Sequence, residues 1–306
     1  MESYIISFDV GGTSIKAGVV DIKLELVDEA IETYPSEADQ DTDAVIENII
    51  NIVKEQWKKI ERLRGTVGGL GFGFPGPFDY QKGISYIRGI NKYESIYGID
   101  ISSEIKKRLL ADKSIKFSKG FKLLFENDAV VFALGEYLKG QGKDYERIMC
   151  LTLGTGCGST FLNRGEIVRG EFDIPESGWI FNEALRDSTI DNWISRRGIL
   201  RLAAKHGFDI EKNDVKDLDI LARAGDIEAL EVFHEFGALL GEVLKEYILK
   251  FRPECIVLGG RISRAYDLFN TTMDKEISGF NIPVRISRDL SKSALIGAAG
   301  MFGITG

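Results

Sequence analysis

Apolar and polar residues alternate with period two at the start of the chain. Tyr4 to Val10, Ile15 to Val20 and roughly Leu24 to Thr33 read as three successive strands. The period then changes. Between Thr42 and Leu63 the apolar residues fall at Val45, Ile46, Ile49, Ile50, Val53, Trp57 and Ile60, the stripe of an amphipathic helix. Gly69 to Phe74 reads as a short buried strand ending in the punctuated loop Pro75-Gly76-Pro77, and Ser102 to Leu110 as a second helix. The lysine-rich, weakly patterned stretch Ala111 to Gly120 reads as the approach to a hinge. Beyond it the scheme repeats. Lys122 to Phe125 is a strand, Ala129 to Leu138 a helix, and Arg147 to Thr152, Gly158 to Leu162 and Glu166 to Val168 are strands. Helices are expected over Thr189 to His206, Val215 to Arg223 and Ile227 to Phe251. A buried strand, Cys255 to Leu258, and a small-residue helix, Ala294 to Met301, close the chain.

The repeat has a chemical side. Phe8-Asp9-Val10-Gly11-Gly12-Thr13-Ser14 returns in altered form as Leu151-Thr152-Leu153-Gly154-Thr155-Gly156-Cys157. Each copy runs from an apolar strand through a glycine-threonine turn to a second strand. Glycine lets backbone N–H groups approach an anion, and the threonine hydroxyl adds a donor. One such turn is weak, because most hairpin glycines only turn the chain. Two in a duplicated fold would suit a nucleotide polyphosphate.

With 306 residues, two domains are the default. The expected division gives residues 1–118, with the C-terminal helix of about 292–306, to a small N-terminal domain and 119–291 to a larger one. The net charge of −8 argues against a nucleic-acid partner, since no basic patch could neutralise several phosphates. No run approaches the length of a membrane span, and no signal-peptide pattern precedes the first strand. Three scattered cysteines give no disulfide framework, so a cytoplasmic protein with reduced thiols is expected.

Five motifs follow in order: Asp9-Val10-Gly11-Gly12-Thr13, Gly71 to Pro77, Glu126-Asn127-Asp128-Ala129 with Leu134-Gly135-Glu136, Leu153 to Gly158, and Leu258-Gly259-Gly260. In that order they resemble the ROK family of bacterial sugar kinases and repressors, and the resemblance covers nearly the whole chain. It implies an α/β fold of duplicated RNase H-like domains (the actin-like ATPase architecture) with an interdomain active-site cleft. It also implies an ATP- and Mg²⁺-dependent, glucokinase-like sugar kinase. Only three residues precede the first strand, so the repressor branch, with its N-terminal DNA-binding domain, is not expected.

The resemblance assigns roles residue by residue. Asp128 is the base that accepts the proton of the attacking sugar hydroxyl; an ordinary helix cap would look the same locally. Asn127, Gly76 and Asn91 contact sugar. Asp9 holds Mg²⁺ through water, which fits a lone acid beside a phosphate turn. Gly11, Gly12, Thr13 and Lys16 from one half, and Gly154, Thr155, Gly156, Gly259 and Gly260 from the other, bind the nucleotide.

On the sugar side the chain departs from the family. Where relatives carry Glu-x-Gly-His, it has Glu176-Ser177-Gly178-Trp179, so Trp179 replaces a histidine. The stretch Ile180 to Thr189 lacks the cysteine cluster that binds zinc in many relatives, and no structural zinc is expected. Asp191 stands where the family has a sugar-contacting glutamate, one methylene longer. Trp179 offers an aromatic face to a sugar or is packed in the protein, the two being equally compatible with its type. Glucose is the default acceptor. A non-catalytic sugar- or nucleotide-binding regulator is the alternative. The apolar stripe of Ile227 to Phe251 fits either a homodimer contact or a core helix.

Overall fold

The computed structural model describes residues 1–304. The described chain forms two compact units. The first is Met1–Gly140 joined by the stretch from Asp289 on; the second is Gln141–Arg288.

The first unit opens with β1 (Ser3–Val10), β2 (Ser14–Val20), β3 (Glu32–Pro35), α1 (Thr42–Arg62) and β4 (Thr66–Phe74). Two short strands follow, β5 (Phe78–Asp79) and β6 (Ile84–Ser85), then α2 (Ile101–Ala111), β7 (Phe117–Asn127) and α3 (Asp128–Leu138). The main sheet has the order β3-β2-β1-β4-β7; the first three strands are antiparallel neighbours, and β4 and β7 add parallel. The α1 stripe is buried as its spacing predicts, and Asp41 caps the helix by accepting from the Ala44 N–H at 2.9 Å.

The second unit contains β8 (Arg147–Leu153), β9 (Cys157–Asn163), β10 (Glu166–Ile167), the hairpin of β11 (Ala184–Leu185) and β12 (Ser188–Thr189), α4 (Ile190–Trp193) and α5 (Arg196–Lys205). Then come α6 (Val215–Arg223), α7 (Ile227–Phe251), β13 (Cys255–Gly259), α8 (Tyr266–Ile277) and β14 (Val284–Ile286). Its sheet, β10-β9-β8-β13-β14, repeats the first in order and in pairing sense. This is the duplicated RNase H-like topology that the resemblance implies. The stripe of α7 lies in this unit's own core, with Phe233, Phe236, Leu240, Leu244 and Phe251 buried.

The last helix, α9 (Leu290–Ile304), belongs to the first unit. It packs so closely on β4 and α3 that side chains are excluded. A Cβ on Gly71 would lie 2.4 Å from the Ala298 carbonyl oxygen, and one on Gly135 would lie 1.8 Å from that of Ser293. The buried Glu136 accepts from the Ser293 hydroxyl at 2.7 Å, tying α3 to α9.

Several expectations differ from the structure. The unit boundary falls at Gly140/Gln141, not 118/119, because β7 pairs with β4 from Lys122 to Asn127 and carries α3 with it. The return of the chain begins at Asp289, and the last two residues of the expected 292–306 stretch lie outside the described residues. The lysine-rich stretch read as the approach to a hinge runs from the end of α2 into the start of β7, an edge strand whose register slips beside Gly68. Leu24, Asp28 and Glu29 have positive φ, which confines the third strand to Glu32–Pro35. The expected helix Thr189–His206 is broken at Ile194–Ser195, where extended Ser195 caps α5 through its hydroxyl on the Arg197 N–H (3.2 Å). Sequence periodicity missed α8 and β14.

Candidate active site

In the first unit three parallel strands end side by side. Phe8, Phe72 and Phe125 are register partners on β1, β4 and β7, and their rings stack with centroids 4.5 and 4.6 Å apart. This ladder fixes the register one residue before the functional ends, since a slip would break two stacked aromatic pairs. The next row is Asp9, Gly73 and Glu126; beyond it lie the Pro75–Pro77 loop and Asn127–Asp128. Two of the predicted acids and two of the predicted sugar contacts, Gly76 and Asn127, are therefore gathered at one sheet end.

Asn127 is the N-cap of α3 and accepts from the Ala129 N–H at 3.0 Å. Its amide nitrogen donates to the Tyr80 hydroxyl at 3.2 Å, and that hydroxyl donates to the Phe74 carbonyl at 3.1 Å. Because Asn127 caps, Asp128 stands at the first helical position. Asp128 is reachable from solvent, yet protein crowds its carboxyl, and desolvation raises its pKa to about 6. The Ala129 N–H, 2.9 Å from Oδ1, pulls the other way, and the negative charge of Asp9 pushes it up again. Burial also raises Asp9, opposed by Lys16, whose Nζ lies 3.6 Å from Oδ2.

The turn after β1 is held from its carbonyl side. The Tyr93 hydroxyl donates to Gly11 O at 3.0 Å, the Ser36 hydroxyl to Gly12 O at 3.1 Å, and the Ser36 N–H to Thr13 O at 3.2 Å. In a planar trans peptide the N–H points opposite its carbonyl, so tying back Gly11 O and Gly12 O aims the Gly12 and Thr13 N–H groups outward. Among the described residues neither of these N–H groups makes a hydrogen bond. Lys16 is committed to Asp9 and to the Ser291 hydroxyl, 2.6 Å away. Lys92, beside the predicted Asn91, reaches Thr13 Oγ1 at 3.1 Å. Lys92, Tyr93, Ser36 and Tyr80 were not singled out in the sequence, which signals nothing about loops that meet only in the fold.

The second unit holds the other predicted residues. Gly154 donates to Gly156 O at 3.0 Å, and Gly154 O accepts the first N–H of α5, from Arg196, at 2.8 Å. Asp191 lies against this turn. Its Oδ1 accepts from the Cys157 N–H at 2.7 Å, and its Oδ2 pairs with Arg197, so both oxygens are engaged. Gly154 and Thr155 line a cavity of about 440 Å³ with Arg196, Asp214, Arg261 and Ala265. Gly259 ends β13, and Gly260 follows with φ +89°, where a Cβ would lie 2.2 Å from Leu153 O. Glu176 is exposed on the loop before Trp179, which is half-buried with its ring 6.1 Å from that of Phe181. The segment without cysteines closes as the β11–β12 hairpin, with Leu185 in the core. Among the described residues no three His, Cys, Asp or Glu side chains gather to hold a metal ion, and no helix is long and apolar enough to cross a membrane.

The duplicated topology, with an acid pair and a glycine turn at one sheet end, is that of the actin-like ATPase fold. The profile of the ROK family matches residues 5–304, and the chain belongs to that family. It is 27% identical to a glucokinase of Thermotoga maritima, over 98% of this chain and 95% of the relative. It is 29% identical to an N-acetyl-D-glucosamine kinase of Vibrio parahaemolyticus, over 90% of each. Its structure resembles that of a ROK glucokinase from Streptomyces griseus in complex with glucose and AMPPNP, with a TM-score of 0.71 and 21% identity over 97% of this chain and 98% of that one.

Proposed function

We propose that this chain is an ATP-dependent sugar kinase that moves the γ-phosphoryl group of ATP to a hydroxyl of a hexose or hexose derivative. The observation that carries the reading is the placement of Asp128 at the first position of α3, at the same sheet end as Asp9 and in the same unit as a turn with two outward N–H groups. Support comes from the relatives, named glucokinase and N-acetyl-D-glucosamine kinase, and from a structural neighbour that holds glucose and an ATP analogue.

In this reading the sugar oxygen attacks the γ-phosphorus, the bond from phosphorus to the bridging oxygen of ADP breaks, and Asp128 takes the hydroxyl proton. A carboxyl with a pKa near 6 is roughly tenfold more ionised than neutral at pH 7, so it remains an acceptor. Phosphoryl transfer has a loose transition state, and the base acts chiefly by orienting the nucleophile. Asn127, oriented by Tyr80, and the loop residues Gly76 and Asn91 hold sugar hydroxyls. Glu176 and the face of Trp179 take further parts of the ring. In the first unit Gly11, Gly12, Thr13 and Lys16 are assigned to phosphate binding; in the second unit Gly154–Gly156, Gly259 and Gly260, next to that unit's cavity, are assigned to nucleotide binding. Asp191 we assign to bracing the second turn, since both its oxygens are spent there. Asp9 fits Mg²⁺: one carboxylate oxygen donor near a phosphate turn is the usual protein share of such a site. When bound, the ion would neutralise phosphate charge.

The test is ADP release from ATP and Mg²⁺ across glucose, mannose, N-acetylglucosamine, N-acetylmannosamine and simple glycosides. Release that depends on one of these sugars is expected. ATP binding with no sugar-dependent release would move the chain to the regulatory alternative.

A further inference from the structure

Lys92 stands on a loop whose whole construction serves its position. Its neighbours Asn91 and Tyr93 both have left-handed backbones, with φ of 54° and 59°, which non-glycine residues adopt at a cost. Three contacts hold the loop in that shape. The Tyr93 ring is fully buried and its hydroxyl donates to Gly11 O; the Tyr93 N–H donates to Ala38 O; and Glu94 Oε1 accepts from the N–H groups of Ile90 and Asn91 at 2.9 and 2.8 Å. The result lays the lysine along the glycine turn. A Cβ on Gly12 would come within 2.4 Å of Lys92 Cδ, so the stem crosses Gly12, and Nζ reaches Thr13 Oγ1. Nearby Glu94 is turned to the backbone, and Lys16 is paired with Asp9. Among the described residues Lys92 makes no ion pair.

We infer that Lys92 is a further catalytic residue of the kinase reading, on which this inference rests: its ammonium binds the γ-phosphoryl group held by the Gly12–Thr13 turn. A positive charge brought onto a turn with outward N–H groups completes a site for a phosphate dianion. In transfer the charge spread over the equatorial oxygens of the moving phosphoryl group is met by this ammonium, while the bridging oxygen leaves with ADP. The lysine thus distinguishes ATP from ADP.

The experiment is calorimetric titration of the whole protein with ATP and with ADP, both with Mg²⁺, for wild type, Lys92→Met and Lys92→Arg. Loss of a charge-assisted contact of this kind predicts an ATP affinity roughly tenfold to a hundredfold weaker in K92M. ADP affinity should change by less than about twofold, since that contact is absent from ADP. K92R keeps the charge and should retain most of the preference for ATP. An unchanged ATP-to-ADP affinity ratio in K92M, or an equal loss for both nucleotides, overturns the inference. The kinase reading fails separately, through a wild type that binds ATP and phosphorylates no sugar.

Discussion

The same topological place occurs twice in this molecule and has been put to different uses. In the first copy the fifth strand, β7, runs into α3, Asn127 does the capping, and Asp128 is left at the first helical position with a raised carboxyl. In the second copy the fifth strand, β14, is followed by α9, and there Asp289 spends its own carboxylate on the cap, accepting from the Ser291 and Lys292 N–H groups at 3.0 Å each. An acid at a helix start is thus no evidence of a base; what matters is which residue satisfies the helix. The glycine turns teach the same lesson. The first is held by neutral hydroxyls on its carbonyls, leaving N–H groups outward, whereas the second is held by a carboxylate on one of its N–H groups.

The largest effect should come from separating the two acids. Asp128→Asn is expected to lower sugar-dependent turnover by ~10²–10⁴-fold, the range for loss of a general base. The sign of its stability effect follows from the raised pKa. The folded state holds the proton more tightly than the ordinary carboxylate value of 3.8, so the contribution of neutral Asp128 is lost as pH rises through about 6. A Tm measured at pH 8 should therefore not fall in D128N, and kcat/KM of the wild type should decline on the acid side with an apparent pKa near 6. A marked fall in Tm would show that Asp128 is structural. Next in size is Gly260→Ala, which meets a backbone carbonyl at positive φ and should cost about 2 kcal/mol or more in urea unfolding. Gly12→Ala in the other turn meets only a flexible lysine and should cost under about 1 kcal/mol. Asp191→Ala should raise KM for ATP about tenfold and leave KM for sugar within about twofold, if one charged contact braces the turn. The reverse pattern would return Asp191 to the sugar. Smallest is Asp289→Ala, a lost cap worth about 1 kcal/mol with kcat retained, read by Tm and turnover together.

Much of this was legible in the chain because local rules governed it. The stripe of α1 and the full span of α7 follow from periodicity, and the two turns stand out as strand-glycine-strand patterns. Asp9 and Asp128 are marked by the motifs around them. The unit boundary was hidden because β7 begins in an exposed lysine-rich stretch that resembles a loop until it pairs with β4. Lys92 and Tyr93 escaped for a different reason. They reach Thr13 and Gly11 across 79 and 82 positions of chain, through a loop whose shape depends on one buried tyrosine and one capping glutamate. Asp191 was read as a sugar contact by alignment with a longer acid, and the fold sets its carboxylate against Cys157 at the end of the turn and Arg197 on α5.

The most direct test follows the phosphoryl group itself: mass spectrometry of sugar incubated with ATP, Mg²⁺ and either wild type or D128N. The account predicts a monophosphorylated sugar from the wild type and none from D128N over the same time, with both proteins binding ATP. Equal yields from the two would contradict it.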